Sequence, residues 1–69
     1  MNMQDLIEYK ELLGLLSRPS RDVAIAERLL SAIRTGYPIK SAIAAANKLF
    51  TRREINGDEH GTIIRMIKR

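Results

Sequence analysis

The feature that most constrains how this chain folds is a break at positions 35–38, which separates two stretches of helically spaced apolar residues. The break has the sequence Thr-Gly-Tyr-Pro. Gly36 suits the position just after a helix because glycine tolerates a positive φ. Pro38 suits the first position of the next helix, where its missing N–H costs nothing. Positions 20–50 therefore predict two short helices joined by a tight turn, which is the arrangement of a helix-turn-helix.

The two helices around the break are defined by their apolar faces. Ser20 is expected to cap the first one, and Asp22 in its first turn favours the helix dipole. Its apolar face is formed by Val23, Ala26, Leu29, Leu30 and Ile33. The second helix is predicted over Pro38–Phe50, and its apolar side chains lie within an arc of about 120°. They are Ile39, Ala42, Ile43, Ala46, Leu49 and Phe50.

A further helix is predicted upstream, from about Met3 to Leu16, and a proline-containing break at positions 17–20 ends it. Its apolar stripe is wider than the arc of about 100° that a surface helix needs, because Ile7 and Leu15 extend it. The wide stripe predicts that this helix packs on two sides or against a second copy of the chain.

The C-terminal part of the chain allows several interpretations. Thr51–Glu54 has the spacing of a capping box that would start a helix there. The Asn-Gly pair at positions 56–57 is also typical of a hairpin turn, with positions 52–55 as a short strand. We favour a turn followed by a helix from about Asp58 to Lys68. With 69 residues, the chain is predicted to be a single all-α domain of three to four short helices.

Positive charge is concentrated in the middle of the chain. The whole chain has a net charge of +4, and positions 17–53 contain eight basic and two acidic residues. This segment is also the predicted helix-turn-helix. A basic patch on a small domain is typical of proteins that bind phosphate backbones, although a solvated basic surface that keeps a small protein in solution gives the same pattern.

The residue pattern does not favour catalysis or cofactor binding. The chain has no cysteine and one histidine, His60, which lies at the margin of an apolar stripe beside Glu59. A lone histidine with scattered carboxylates forms neither a nucleophilic triad nor a closed metal site. We therefore expect no enzyme activity, no metal and no cofactor.

The expected location is the cytoplasm. No apolar run approaches the roughly 18–20 residues that span a membrane. The N-terminal sequence has no basic segment followed by an apolar core, so it does not resemble a signal peptide.

The favoured function is a small DNA-binding regulator in which the helix over positions 38–50 enters the major groove of double-stranded DNA. Lys40 and Ser41 lie at the N-terminal end of this helix, where recognition helices meet bases. Asn47 can pair with adenine, and lysine can contact guanine or phosphate. A small side chain lets the helix lie deep in the groove, and arginines bind the flanking phosphates. The complete predicted contact set is Arg34, Lys40, Ser41, Ala44, Asn47, Lys48, Arg52 and Arg53.

Three features count against DNA binding, while the wide apolar stripe of the first helix and the small residues of the helix over positions 38–50 suit packing against a partner helix. Pro38 makes the turn longer or stiffer than usual, the predicted reading face has no arginine, and any helical hairpin with a glycine turn gives the same pattern. The alternative is a protein-interaction module that binds an acidic partner protein and inhibits or adapts it. Under either function, we expect a homo-oligomer formed through the first helix.

Overall fold

The computed structural model describes residues 8–68, and this part of the chain forms four α-helices without any strand. The helices are α1 (Tyr9–Leu15), α2 (Arg21–Arg34), α3 (Ile39–Thr51) and α4 (Gly57–Ile67). The prediction of an all-α fold with three to four helices is confirmed. The predicted start of the first helix near Met3, and Ile7 within it, lie outside the described residues. Glu8 was predicted inside this helix but is its N-cap, with a left-handed φ of 49°, so α1 begins at Tyr9. Among the helices of residues 8–68, none combines the length and apolar character needed to cross a bilayer.

A single hydrophobic core joins the four helices. Helix α4 packs against both α2 and α3, and α1 packs against α2. The fully buried large side chains at the centre are Leu12, Ile25, Leu29, Leu49 and Ile63. On α1, Leu15 and Leu16 pack against this core, whereas Leu13 is exposed. The expectation that Leu15 extends the outer apolar surface of α1 is therefore wrong, and Leu13 takes that place.

Helix α2 ends as its sequence predicts. Gly36 has a φ of 115° and follows the end of the helix. Its N–H donates to the Ile33 carbonyl (3.0 Å), and the Tyr37 N–H donates to the Ala32 carbonyl (3.1 Å). These two bonds form a Schellman motif. Pro38 is the N-cap of α3 with an extended ψ of 148°, so α3 begins one residue later than predicted.

The favoured prediction of a turn after α3 followed by a C-terminal helix is confirmed, whereas the alternative helix start at positions 51–54 is wrong. Thr51 is the last residue of α3. The capping box forms instead between Asn56 and Glu59: the Asn56 Oδ1 accepts from the Glu59 N–H, and the Glu59 Oε1 accepts from the Asn56 N–H, both at 2.8 Å. Two reciprocal bonds satisfy free backbone donors at the start of α4, so the helix begins at Gly57.

The buried face of α3 is rotated relative to the predicted one. Ile39 and Phe50, which were expected in the core, are 48% and 44% exposed. The residues that α3 buries are Ser41, Ala42, Ala45, Ala46 and Leu49. Since both α2 and α4 pack on this side, small side chains allow the close approach that isoleucine and phenylalanine would prevent. On α2, Val23 was likewise expected in the core but is exposed, and Ile25 is buried in its stead.

Candidate nucleic-acid interface

The outer face of α3 is a row of small, polar and basic side chains. Lys40, Ala44, Asn47 and Thr51 are all exposed, and their spacing of three or four residues places them on one side of the helix. Lys48 is partly exposed beside this row. No residue of α3 is acidic. We call Lys40, Ala44, Asn47 and Thr51 the outer face of α3 below.

Most of the predicted contact residues are accessible, with one clear exception. Ser41 is only 5% exposed, so the expectation that it faces outward is wrong. Its side chain points toward the core because the buried face of α3 is rotated as described above. Lys48 is partly accessible. The predicted residues that are exposed are Arg34, Lys40, Ala44, Asn47, Arg52 and Arg53.

Two groups of basic residues in the described part of the chain bear on this site. Arg21 and Arg28 bind carboxylates of other helices or their flanking residues: Arg21 binds Glu59, and Arg28 binds Glu8 and Glu11. Arg28 is thus a link between α2 and the start of α1. These two arginines are neutralised within the fold.

The second group lies on and around α3. Arg52 forms an exposed ion pair with Glu54 at 3.4 Å, which contributes little in water. Within residues 8–68, no ion pair involves Arg34, Lys40, Lys48 or Arg53. The uncompensated positive charge of this region therefore lies along α3, just before it and just after it.

The Asn47 side chain is hydrogen-bonded to a residue of α4, His60, which the sequence did not predict to be part of the site. The His60 Nε2 donates to the Asn47 Oδ1 at 2.7 Å. The His60 ring in turn stacks on Phe50, with 4.7 Å between the ring centroids and 24° between the planes. The amide NH₂ of Asn47 remains available as a donor. A bidentate contact with adenine would share the Asn47 oxygen with His60, because that contact uses both groups of the amide.

An ion pair joins the starts of α2 and α4. The Arg21 Nη2 donates to the Glu59 Oε1 at 2.8 Å, and the Arg21 Nε donates to the Glu59 Oε2. These hydrogen bonds, assisted by the bond from the Asn56 N–H, lower the pKa of Glu59 against the opposing effect of burial. Glu59 therefore caps α4 and positions Arg21 at the same time.

The loop after α3 is tied to α1. The Tyr9 hydroxyl donates to the Glu54 Oε2 at 2.8 Å. Burial, followed by this hydrogen bond, raises the pKa of Tyr9 to about 12. The bond fixes the position of the segment that carries Arg52 and Arg53.

A cleft of about 580 Å³ lies at the C-terminal end of the outer face of α3, with Thr51 belonging to both. Arg53 borders it with a φ of 61°, in the left-handed region. Because the sequence pattern placed Phe50 in the core, the cleft was not predicted. It is lined by Arg21, Phe50, Thr51, Arg53, Ile55 and Asn56.

The comparisons with known proteins yield no relative. No protein-family model, curated protein or solved structure matches the chain. Among residues 8–68, no three His, Asp or Glu side chains come together as a metal site.

Proposed function

We propose that the protein is a small DNA-binding regulator that places α3 in the major groove of double-stranded DNA. The observation that carries the proposal is the outer face of α3, where exposed Lys40, Ala44 and Asn47 stand in a helix without any carboxylate. A carboxylate here would repel the phosphates, and a large side chain at Ala44 would keep the helix out of the groove. The major groove admits an α-helix of this width.

In this proposal, the residues divide into base contacts and phosphate contacts. Lys40 donates to guanine or to phosphate, and the NH₂ group of Asn47 donates to an acceptor on a base edge. The phosphate contacts are Arg34, Lys48, Arg52 and Arg53, which set the position of the helix on the duplex. Ser41 has no part in the contact because it is buried.

The proposal includes a homodimer formed through α1, in the cytoplasm. Leu13 is 37% exposed on α1 and would lie in the contact between two copies. A two-fold symmetric dimer would read two half-sites about one helical turn of DNA apart. Sedimentation of the parent protein and of Leu13→Glu tests this point, since the variant should sediment as a monomer where the parent is a dimer.

The direct test measures binding to a mixed-sequence DNA duplex at several salt concentrations. Each lost phosphate contact should reduce the slope of log K against log salt by about 0.9. We expect this for Arg34→Ala and Lys48→Ala. Lys10→Ala is the matched control, because Lys10 is an exposed cation on α1 and its removal should leave the slope unchanged. If the three variants and the parent bind the duplex with the same affinity and the same salt dependence, the proposal is wrong.

Base contacts need a separate measurement. After selection of a preferred duplex, Asn47→Ala and Lys40→Ala should reduce the preference for that site over mixed sequence by about 1–3 kcal/mol per contact. Binding to mixed sequence should change less. Unaltered preference in both variants would place the reading surface elsewhere.

The second candidate function is binding of a partner protein. Exposed Ile39 and Phe50 favour it, since duplex DNA offers few apolar contacts to such side chains. Capture of the tagged protein from a lysate, with and without nuclease, separates the two functions. DNA that is lost with nuclease supports the regulator, whereas one stoichiometric protein that survives nuclease supports the interaction module.

A further inference from the structure

The cleft after α3 has an apolar floor and wall that duplex DNA would not contact. Its floor is Ile55, which is 3% exposed, and the half-exposed Phe50 ring forms one wall. A DNA backbone presents phosphates and sugars, and the base faces of a duplex are stacked inside it. The arginines of the cleft would suit a phosphate, but the apolar floor and wall would contribute nothing to that contact.

We propose that this cleft binds an acidic segment of a partner protein. One large aliphatic side chain of the segment packs against Phe50 and Ile55, and a neighbouring carboxylate pairs with the guanidinium of Arg53. The pairing of an apolar floor with a cationic rim selects a ligand that has both features close together in its sequence.

The charge of the cleft supports an acidic ligand. None of the six lining residues is acidic, and two of them are arginines. Arg21 is neutralised by Glu59, whereas Arg53 has no ion pair within the described residues. A carboxylate of the ligand would find a free guanidinium at Arg53, and a lysine of a ligand would be repelled there.

Contacts within the fold hold several of the residues that line the cleft. Glu59 holds Arg21, the capping box holds Asn56, and the His60 ring stacks on Phe50. The backbone of Arg53 is fixed by its N–H bond to the Phe50 carbonyl at 3.0 Å. Prior order lowers the entropy that a ligand must overcome, so a short segment can bind measurably.

A single-stranded nucleic acid is a poorer match for the same surface. Proteins that bind single strands stack successive bases on several aromatic side chains. The cleft has one aromatic ring, and Tyr9 and Tyr37 are packed into the core elsewhere. A buried isoleucine at the floor suits an aliphatic side chain better than a flat base with polar edges.

The test is a titration of the full ¹⁵N-labelled chain, followed by its backbone amide shifts. The probe is the blocked peptide Glu-Leu-Glu, with Lys-Leu-Lys as the charge control, Glu-Ser-Glu as the apolar control and tetrathymidylate as the nucleic-acid control. We expect saturable shifts at Thr51, Ile55 and Asn56 with Glu-Leu-Glu. Glu-Ser-Glu should bind about tenfold more weakly, because burial of a leucine side chain is lost.

Two variants show whether the cleft itself binds the probe. Arg53→Gly removes the guanidinium while keeping a residue that adopts a positive φ, so the loop is expected to keep its shape. This variant should bind Glu-Leu-Glu about two- to fivefold more weakly. Arg52→Ala, which removes the neighbouring charge outside the cleft lining, should bind like the parent.

Several results would overturn the proposal. They are equal binding of Glu-Leu-Glu and Lys-Leu-Lys, unchanged affinity in Arg53→Gly, no saturable shift at the highest soluble peptide concentration, and shifts centred on Lys40 and Asn47. Stronger binding of tetrathymidylate at the same amides would reassign the cleft to single-stranded nucleic acid. The probes contain no duplex, so the outcome is separate from that of the DNA-binding test.

Discussion

The junctions before and after α3, at positions 35–38 and 52–56, have the same backbone geometry but are held in place by different side-chain interactions. Each ends a helix with a Schellman motif, at Gly36 after α2 and at Arg53 after α3, where the Glu54 N–H donates to the Leu49 carbonyl at 3.0 Å. The first junction continues into Tyr37, which packs against the core. The second continues into Glu54, which is bound by the Tyr9 hydroxyl.

The two junctions therefore stabilise the same type of turn by different interactions. The first junction relies on the conformational freedom of glycine and on apolar packing, with Pro38 as an N-cap that makes no side-chain hydrogen bond. The second relies on hydrogen bonds and ion pairs among side chains from different helices. The second therefore leaves charged side chains next to an open cleft, and its Tyr9–Glu54 hydrogen bond depends on the protonation state of Tyr9.

The largest expected effect is from Gly36→Arg, which gives both junctions the same residue. The φ of 61° at Arg53 lies in the left-handed minimum that L residues can adopt, whereas the φ of 115° at Gly36 lies beyond it. We expect a loss of about 1–2 kcal/mol in the free energy of unfolding, measured by urea denaturation. A loss below the error of the measurement would show that the two turns are equivalent.

Asn56→Ala should have the next largest effect, because it removes the side-chain cap that only the second junction has. The expected loss is about 1 kcal/mol. Asn56→Asp keeps an oxygen acceptor at the same position and serves as the matched control, with stability near that of the parent. If both variants lose the same stability, the capping bond to the Glu59 N–H is not the cause.

Tyr9→Phe tests the long-range bond at the second junction. Removal of the hydroxyl should cost about 0.5–1 kcal/mol at neutral pH, since Glu54 is partly exposed and water replaces the lost donor. The pKa of Tyr9 is raised to about 12 in the folded protein, against 10.0 for the free side chain. Its contribution is thus complete below pH 10 and is lost as the pH rises toward 12.

The pH dependence of the unfolding free energy is the control for the Tyr9→Phe prediction. The difference in unfolding free energy between the parent and Tyr9→Phe should shrink above pH 10, where the unfolded phenol ionises. A difference that stays constant up to pH 12 would contradict the raised pKa of Tyr9, which burial and the bond to Glu54 produce together.

The smallest effect is expected for Arg53→Gly, and its sign is opposite. Glycine removes the cost of the left-handed conformation, about 1–2 kcal/mol, but adds about 0.5–1 kcal/mol of unfolded-state entropy. The net result should be a gain of about 0.5 kcal/mol, while Arg52→Gly should lose stability. A gain in stability together with weaker ligand binding would identify Arg53 as a residue that favours function over folding.

Much of the fold could be predicted from short-range patterns in the sequence. The breaks near Pro19 and at positions 35–38, the positive φ at Gly36 and the C-terminal helix were all predicted within a residue or two. Local conformational preferences decide these features, and such preferences are encoded in neighbouring residues. The sequence left Thr51–Glu54 open as a capping box and did not predict the one at Asn56–Glu59, although both segments have the same spacing of polar residues.

The candidate site was predicted less completely, for a physical reason. Hydropathy ranks isoleucine and phenylalanine above alanine, so the pattern placed Ile39 and Phe50 in the core. The packing of two helices against α3 instead favours small residues at the contact, which turns Ser41 inward and Phe50 outward. Because of that rotation, Phe50 lines the cleft instead of filling the core.

The sequence by itself determined the ends of α2, α3 and α4 to within a residue or two, and where the positive charge lies. Tertiary structure alone decided which face of α3 is open, and it brought together Arg21 with Glu59, Tyr9 with Glu54, and Asn47 with His60. The reason is that helix formation depends on residues three or four positions apart. These three pairs join residues 13 to 45 positions apart, and the chain must pack before they can form.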